Sequence, residues 1–461
     1  MNLQDTIVAL STVAGQSAIA VVRLSGKDAI TIVDSFFKGK QKIAAVQSRS
    51  IQFGKVMQHE TILDEVVVAV FNSPASYTGD HVVEISCHGS MFIVQSLLSL
   101  CIQAGARMAQ PGEFTQRAFL AGKLDLSQAE SVAELIASEN ESQHRIAMQQ
   151  MRGNYSKRIQ ILRQELIDFA ALLELELDFS EEDVEFANRE KFILLIQSSK
   201  AELQKLIQSF SLGNVLKNGV PVAIVGKPNV GKSTLLNKLL QEEKAMVSDI
   251  PGTTRDFIED TIQLGGITYR FIDTAGIRES DDRLETMGIE RSFEKMKEAS
   301  IILYVADIGM PYTQIAEEAL ALPLQPMQKL MIVLNKSDLL ASACDAYDIE
   351  EAVATITNKM VLEISANSGR NVSTLLGRIQ TVVEAEIGTS DVIVSNTRHV
   401  SAMQIALDKL EEVRIGLDSQ LHAEFLAIDV RAALQALGSI TGGIGNEDVL
   451  SSIFSRFCIG K

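Results

Sequence analysis

Only four cysteines occur in 461 residues (Cys87, Cys101, Cys344 and Cys458), and no two form a CxxC pair. A disulfide framework or a zinc ribbon is therefore not expected. No apolar run approaches the roughly 18 residues that cross a bilayer. The opening MNLQDTIVALSTVAGQSAIAVVRLSG has Asp5 and no Lys or Arg before Arg23, unlike a signal or transit peptide. A cytoplasmic location without membrane contact is the expectation. Low-complexity tracts are absent as well, and 46% hydrophobic with 22% charged residues is a globular composition. Positive charge is in short supply: 42 Lys and Arg face 59 Asp and Glu, for a net charge of −17. A protein that grips nucleic acid along a broad surface should be basic. Residues 1–118 hold nine Lys/Arg and nine Asp/Glu, so the acid excess lies beyond them. Any RNA role must then use a local patch or a partner protein.

What is present falls into distinct compositions. Residues 1–118 alternate β-rich runs (IAVVRL, EVVVAVF, HVVEIS) with turn clusters such as NSPASYTGD, and one helix-like stretch, MFIVQSLLSLCIQAGA, interrupts them. This is an α+β pattern. Residues 119–218 have apolar positions at three- and four-residue spacing without interior proline, as in LSQAESVAELIASENESQHRIAMQQM, which predicts long helices. Asp125 and Gln128 have the spacing of a capping box. Residues 219–380 repeat β-loop-α (VPVAIVG, ITYRFIDT, IILYVAD, LMIVLNK, MVLEISA), and such continuous apolar strands suit a parallel sheet covered on both faces. Residues 381–461 are helical again. The two helical segments are expected to form one domain interrupted by an inserted α/β domain; two separate helical pieces are the alternative.

The segment GKPNVGKS at 226–233 is G-x-x-x-x-G-K-[ST] between a strand and a helix. Its glycines let backbone amides cradle phosphates at a helix N-terminus. The nucleotide-contacting residues expected here are Asn229, Val230, Gly231, Lys232, Ser233 and Thr234, with Lys232 on the β/γ-phosphates and Ser233 on Mg²⁺. DTAG places Asp273, Thr274, Ala275 and Gly276 at the end of a strand, Asp273 reaching Mg²⁺ through water and the Gly276 amide facing the γ-phosphate. SDIPGTTRD contributes Ser248, Asp249, Ile250, Pro251, Gly252, Thr253 and Thr254, the last as the switch threonine on Mg²⁺. NKSD supplies Asn335, Lys336 and Asp338; a carboxylate at 338 can accept both N1–H and the exocyclic amine of guanine, a pair that adenine does not offer. SAN at Ser365, Ala366 and Asn367 would reach guanine O6 through its backbone. Together these motifs predict a Ras-like P-loop GTPase domain. The position after DTAG is Ile277, not the water-orienting Gln of Ras-type enzymes; Glu279, Asp281, Asp282 and Glu285 are the nearby carboxylates that could replace it.

Asn229 in the P-loop, SDIPGTTRD, the apolar residue after DTAG, and the terminal FCIGK together resemble the MnmE (TrmE) tRNA-modification GTPase family along the whole chain. The resemblance implies an N-terminal folate-binding domain that drives homodimerisation and a GTPase domain inserted into a helical domain. It implies a K⁺ ion held by Asn229 with the loop at Ser248, Ile250 and Thr253, standing where an arginine finger would place positive charge. It also implies Glu285 as the catalytic residue orienting water. A tetrahydrofolate one-carbon donor, in the 5,10-methylene or 5-formyl form, would be bound by Arg23, Glu84, Lys123 and Lys461. The implied partner is an FAD-dependent MnmG (GidA) family protein, in a heterotetramer or larger complex that holds most of the tRNA. The implied product is an aminomethyl-type (carboxymethylaminomethyl) group on C5 of the wobble uridine of certain tRNAs. Two other classes compete: a regulatory GTPase switch in ribosome assembly, and a stand-alone folate-dependent one-carbon transferase.

CIGK at the end occupies the place of a prenylation box, but glycine and lysine do not fit that signal. NEDVLSSIFSRF before it reads as a short amphipathic helix whose Ile453, Phe454 and Phe457 dock the tail, with Gly460 allowing a tight turn near a ligand. On the family resemblance, docking on the folate domain would bring Cys458 beside the one-carbon unit as catalytic nucleophile or proton donor; an idle thiol is the alternative.

Overall fold

The computed structural model describes residues 5–178, 189–246, 260–272, 296–325, 328–340, 343–387, 393–419, 421–443, 450, 453–455, 457 and 460. The elements run β1 (Ile7–Leu10), β2 (Ser17–Ser25), α1 (Ala29–Phe36), β3 (Phe37–Gly39), β4 (Ser50–Gln58), β5 (Thr61–Phe71), β6 (Val82–Gly89), α2 (Met91–Gln103), β7 (Arg107–Met108) and α3 (Glu113–Leu120). Next come α4 (Leu126–Ala137), α5 (Glu141–Met151), α6 (Asn154–Asp178) and α7 (Arg189–Asn218). Then follow β8 (Val220–Val225), α8 (Lys232–Met246), β9 (Asp260–Leu264), β10 (Ile267–Ile272), β11 (Ile301–Asp307), α9 (Tyr312–Leu320), β12 (Lys329–Asn335), α10 (Ala343–Thr357), β13 (Met360–Glu363) and α11 (Val372–Ile387). Two further helices are α12 (Thr397–Asp418) and α13 (Ala423–Thr441). They form two compact units, one of Met1–Ala137, Ala147–Leu203 and Ser401–Lys461, the other of Ser138–Ile146 and Gln204–Val400.

The first unit contains a seven-stranded sheet in the order β3-β4-β5-β6-β2-β1-β7. It is antiparallel except where β1 pairs with β7. Alternation along β2, β5 and β6 sends Val22, Leu24, Val66, Val68, Val83 and Ile85 into one core, which α1 and α2 cover with Ile32, Val33, Val94 and Leu97. Each such side chain contributes about 1.5–3 kcal/mol by leaving water. The sequence predicts one helix in this region, and the structure has three. AITIVDSF is rich in β-branched residues, which favour strands, yet its Ala29, Ile32, Val33 and Phe36 recur at helical spacing and are buried, so burial overrides local propensity. In the same unit α6 from before the inserted segment packs on α13 from after it, with an Arg431–Glu174 ion pair at 2.8 Å, and a Lys200–Glu411 pair joins α7 to α12. Helices from both sides of the insertion therefore share one body.

The predicted helix over 126–151 divides into α4 and α5. Asn140 Oδ1 accepts the Gln143 amide at 2.8 Å, starting a new helix where Ser and Asn compete with helical hydrogen bonds. The capping box at the start of α4 is present: Asp125 Oδ1 accepts the Gln128 amide at 2.9 Å, and Gln128 Oε1 accepts the Asp125 amide at 3.0 Å.

In the second unit the sheet order is β13-β12-β11-β8-β10-β9, parallel except for the β9–β10 hairpin. All five apolar runs of the sequence become strands. One face is covered by Leu235, Leu239, Leu375 and Ile379 of α8 and α11, and Leu216 of α7 joins that core. Among the described residues, no helix is long and apolar enough to cross a membrane.

Candidate functional site

Two groups of the expected site residues are assembled, one in each unit. In the second unit the loop after β8 needs three backbone conformations that side chains resist. Gly226 has φ +151°, and a Cβ there would fall 2.2 Å from Val305 O. Gly231 has φ +97°, and its added Cβ would meet Asn335 Nδ2 at 2.3 Å. Asn229 is exposed and itself left-handed at φ +63°, a conformation asparagine tolerates better than most residues. The loop leads into α8 at Lys232, so the first amides of that helix face the cradle. Lys232 Nζ donates to Gly226 O at 2.8 Å and to Lys227 O at 2.7 Å, and burial lowers its pKa from the usual lysine value. The ammonium is thus folded onto the loop that phosphates would fill.

The base-side residues converge on the same loop. Asn335, at the end of β12 and 2% exposed, donates from Nδ2 to Val230 O at 2.8 Å and accepts the Ala366 amide on Oδ1 at 2.9 Å. One side chain therefore ties the phosphate loop to the 365–367 segment, a bridging role that the NKSD motif alone does not express. Ser365 Oγ donates to Asp338 Oδ1 at 2.6 Å, which fixes the carboxylate, while Asn367 is exposed. Lys336, at φ +68°, pairs through Nζ with Asp307 Oδ2 at 2.8 Å. The expected residues Ser248, Asp249, Ile250, Pro251, Gly252, Thr253, Thr254, Asp273, Thr274, Ala275, Gly276 and Glu285 lie outside the described residues.

In the first unit, Arg23 of β2 and Glu84 of β6 stand opposite each other in the ladder. Their side chains pair at 2.8 Å through both Nε and Nη2 to Glu84 Oε1. Arg23 Nη1 also donates to Gly460 O at 3.3 Å, as does Ser11 Oγ at 3.2 Å. The Arg23 guanidinium carbon lies 5.7 Å from the ring centres of both Tyr77 and Phe114, two aromatic neighbours that no sequence signal announced. Tyr77 Oη and Thr115 Oγ1 are hydrogen-bonded at 2.9 Å. Lys123 Nζ donates to Pro74 O at 2.7 Å, on the same β5–β6 loop that carries Tyr77.

The tail reaches this place by a chain of close fits. Phe454 and Phe457 are buried against Leu126, Ala129 and Val132 of α4, with Ile453 partly buried beside them. Gly112, at φ +68°, leaves room for them, since a Cβ there would fall 2.6 Å from Phe454 O. Gly460 has φ +99° and no space for a side chain, its added Cβ falling 2.3 Å from Leu10 O. Docking and the tight turn expected of this segment are both present; Cys458 and Lys461 lie outside the described residues. The other two cysteines of this unit are buried, and burial pushes their thiols up, Cys87 to about 11 and Cys101 to about 12, so neither resembles an activated nucleophile.

Two family models match the chain in comparison with known proteins. A family model described as the GTP-binding protein TrmE N-terminus matches residues 6–123, and one described as the MnmE helical domain matches residues 126–458. The tRNA modification GTPase MnmE of Flavobacterium johnsoniae is 48% identical over 466 residues, covering 99% of this chain and 99% of that protein. The protein of the same name from Christiangramia forsetii is 48% identical over 476 residues, covering 100% of each. That from Bacteroides thetaiotaomicron is 46% identical over 468 residues, covering 99% of this chain and 100% of that one. Among solved structures, a variant of Aquifex aeolicus Era bound to GDP·AlF4⁻ is 26% identical, covers 41% of this chain and 66% of that one, and has a TM-score of 0.27, a likeness confined to part of each molecule.

Proposed function

This chain belongs to the MnmE family of tRNA modification GTPases, and on that premise we propose that it is a K⁺-activated GTP hydrolase using a tetrahydrofolate one-carbon unit, together with an FAD-dependent MnmG family partner, to build an aminomethyl-type group on C5 of the wobble uridine of certain tRNAs. We assign its working parts to residues 1–118 (folate binding and dimerisation), 119–218 and 381–461 (helical domain), and 219–380 (GTPase domain).

One observation carries the reading: Asn335 bonds both the phosphate loop and the segment at Ala366, so phosphate and base sites are held in one frame. The described residues of the phosphate loop suit an anion, with Lys232 Nζ lying on the loop carbonyls and Ser233 beside it in the first turn of α8. In the proposed GTP complex, Lys232 exchanges its loop carbonyls for phosphate oxygens. Ser233 and Thr254 would hold Mg²⁺, while Asn229, Ser248, Ile250 and Thr253 would hold K⁺. Asp338 would accept from guanine, and Glu285 would orient the attacking water. The metal ions would supply positive charge to the γ-phosphate oxygens as the bond to the β-phosphate breaks.

In the first unit the cation, carboxylate and aromatic faces around Arg23 match a ligand with a flat N–H-bearing ring and a carboxylate end. The reduced folate would supply the carbon that is transferred. Arg23, Glu84, Lys123 and Lys461 would position it, and Cys458 would act next to it. Homodimerisation has support in an apolar patch on the outer face of the sheet, where Phe53 stands opposite Val67 and Ile51 lies two residues along the same strand. Phe53 is 62% exposed and Ile51 72%, a solvated apolar patch that a second copy would cover.

The test is mass spectrometry of tRNA nucleosides from a strain lacking this chain. The wobble C5 group should be lost, return with the wild-type gene, and stay absent with Cys458→Ser, while the Cys458→Ser protein still folds and hydrolyses GTP. Unchanged wobble uridine in the deletion strain would refute the assignment, and normal modification with Cys458→Ser would remove the thiol from it.

A further inference from the structure

A cleft of about 610 Å³ opens in the first unit between the α3–α4 connection, the middle of α6 and the C-terminal end of α13. That volume suits a drug-sized ligand. Its walls carry the cations Lys123 and Arg163 and the side chains of Gln128, Gln160 and Gln164. The Gln128 side-chain amide is already bonded to the Asp125 N–H and Met151 O, and Gln164 Nε2 donates to Asp168 Oδ1. Gln160 and the side-chain carbonyl oxygen of Gln164 are therefore the groups that face a ligand. Among the described residues that line it, the single carboxylate is Asp125. Its Oδ1 is already occupied by Ser127 Oγ at 2.8 Å and the Gln128 amide at 2.9 Å.

Arg163 is the informative member. Its Nε is buried and has no hydrogen-bond partner among the described residues. Its guanidinium lies across Gly443, where an added Cβ would fall 3.2 Å from Nη1 and 3.6 Å from Cζ. A guanidinium offers five donors in a fork that matches carboxylates, and a buried donor left unmet is uncommon.

Lys123 connects this cleft to the residues around Arg23. Its Nζ is fixed on Pro74 O, and a Cβ at Gly79 would touch its Cε at 3.5 Å. The same loop places Tyr77 beside Arg23. A ligand seated at Arg23 and Glu84, with its carboxylate end directed to Lys123, would continue into the cleft.

We propose that the cleft binds the oligo-γ-glutamyl extension of a reduced folate, a chain that alternates amide links with carboxylates. Lys123 and Arg163 pair successive carboxylates, and Gln160 with the carbonyl oxygen of Gln164 bonds the links between them. A phosphate chain would meet the same two cations but offers no N–H to the carbonyl oxygens of Gln160 and Gln164, which the amide links of a glutamyl chain can donate to. The inference rests on the proposed folate site at Arg23 and names the form of folate that site takes.

Titration calorimetry on the full-length protein tests it, with 5-formyltetrahydrofolate carrying one or three γ-linked glutamates. The triglutamate should bind about tenfold tighter, the yield of roughly one charge-assisted hydrogen bond. That ratio should fall to near one in Arg163→Gln and be partly kept in Arg163→Lys, with thermal melts showing that both variants fold. Equal affinity of the two ligands for the wild type overturns the proposal and leaves folate binding standing. No binding of either ligand overturns the folate reading itself. Inorganic phosphate that erases the triglutamate advantage at equal concentration would make the cleft a general phosphate site, and the proposal wrong.

Discussion

Glu113 holds a negative charge where its surroundings exclude water, its side chain being 1% exposed. Burial alone would raise its carboxyl. Hydrogen bonds from Arg107, the Gln110 amide and Arg117 more than offset this and hold it below the usual carboxylate range. Asp5 completes the network, bonding Arg107 at 2.7 Å and Arg117 at 2.6 Å, and its carboxyl is also held down. A folded-state pKa below the unfolded one contributes stability that is complete above about pH 4.3 and is lost as pH falls through the folded value. Glu113→Gln should therefore destabilise the first unit by roughly 3 kcal/mol at pH 7, since it leaves Arg117, 3% exposed, short of a partner. The gap to wild type should shrink as pH is lowered from 5 to 3. Thermal melts across that range check it; a gap independent of pH would mean that the carboxylate's charge is not what stabilises the network.

Among the elements, the α4–α5 connection clasps the turn of the β9–β10 hairpin. The Ser142 amide donates to Gly266 O at 3.1 Å, and Asn140 Nδ2 donates to Thr268 Oγ1 at 2.9 Å. Gly266 sits at φ +73° with Glu141 so close that an added Cβ would fall 2.8 Å from its Cβ. Gly266→Ala should push the connection off the hairpin and raise hydrogen exchange at the Ser142 amide at least about tenfold. Unaltered exchange would mean that the clasp yields without opening. This contact illustrates what sequence withholds. The strands of the second sheet were legible because each is a continuous apolar run between loops, and the phosphate loop because its glycines recur at fixed spacing. The capping box was legible for the same reason, being local. The break at Asn140, the helix over Ala29–Phe36 and the aromatic pair around Arg23 depend on contacts between distant segments. No window of the sequence contains both partners.

For the whole molecule, the proposed K⁺ site and dimer make one joint prediction. Charge stabilisation of the arginine-finger kind is worth roughly 10³–10⁵ in rate. GTP hydrolysis by the full-length protein should thus be at least about tenfold faster in KCl than in NaCl, and Asn229→Ala should remove the difference. Specific activity in KCl should also rise with protein concentration if the GTPase domains act on each other. Steady-state phosphate release in both salts decides it: equal rates would exclude the ion from the mechanism, and a rate independent of concentration down to nanomolar protein would exclude reversible pairing in that range.

The contact of Gly460 with Arg23 spans 437 positions of the chain. During synthesis the first sheet can fold long before residue 460 exists, because domains form as they emerge. The hydrogen bond from Arg23 to Gly460 O cannot form then, since its acceptor is made 437 positions later. A nascent or prematurely ended chain would carry the sheet, with Arg23 and Glu84 in place, and still lack the tail. The site proposed at Arg23 would thereby depend on a segment translated 437 positions later, so that a chemistry proposed for the first sheet waits on synthesis of the helices and the second sheet between them.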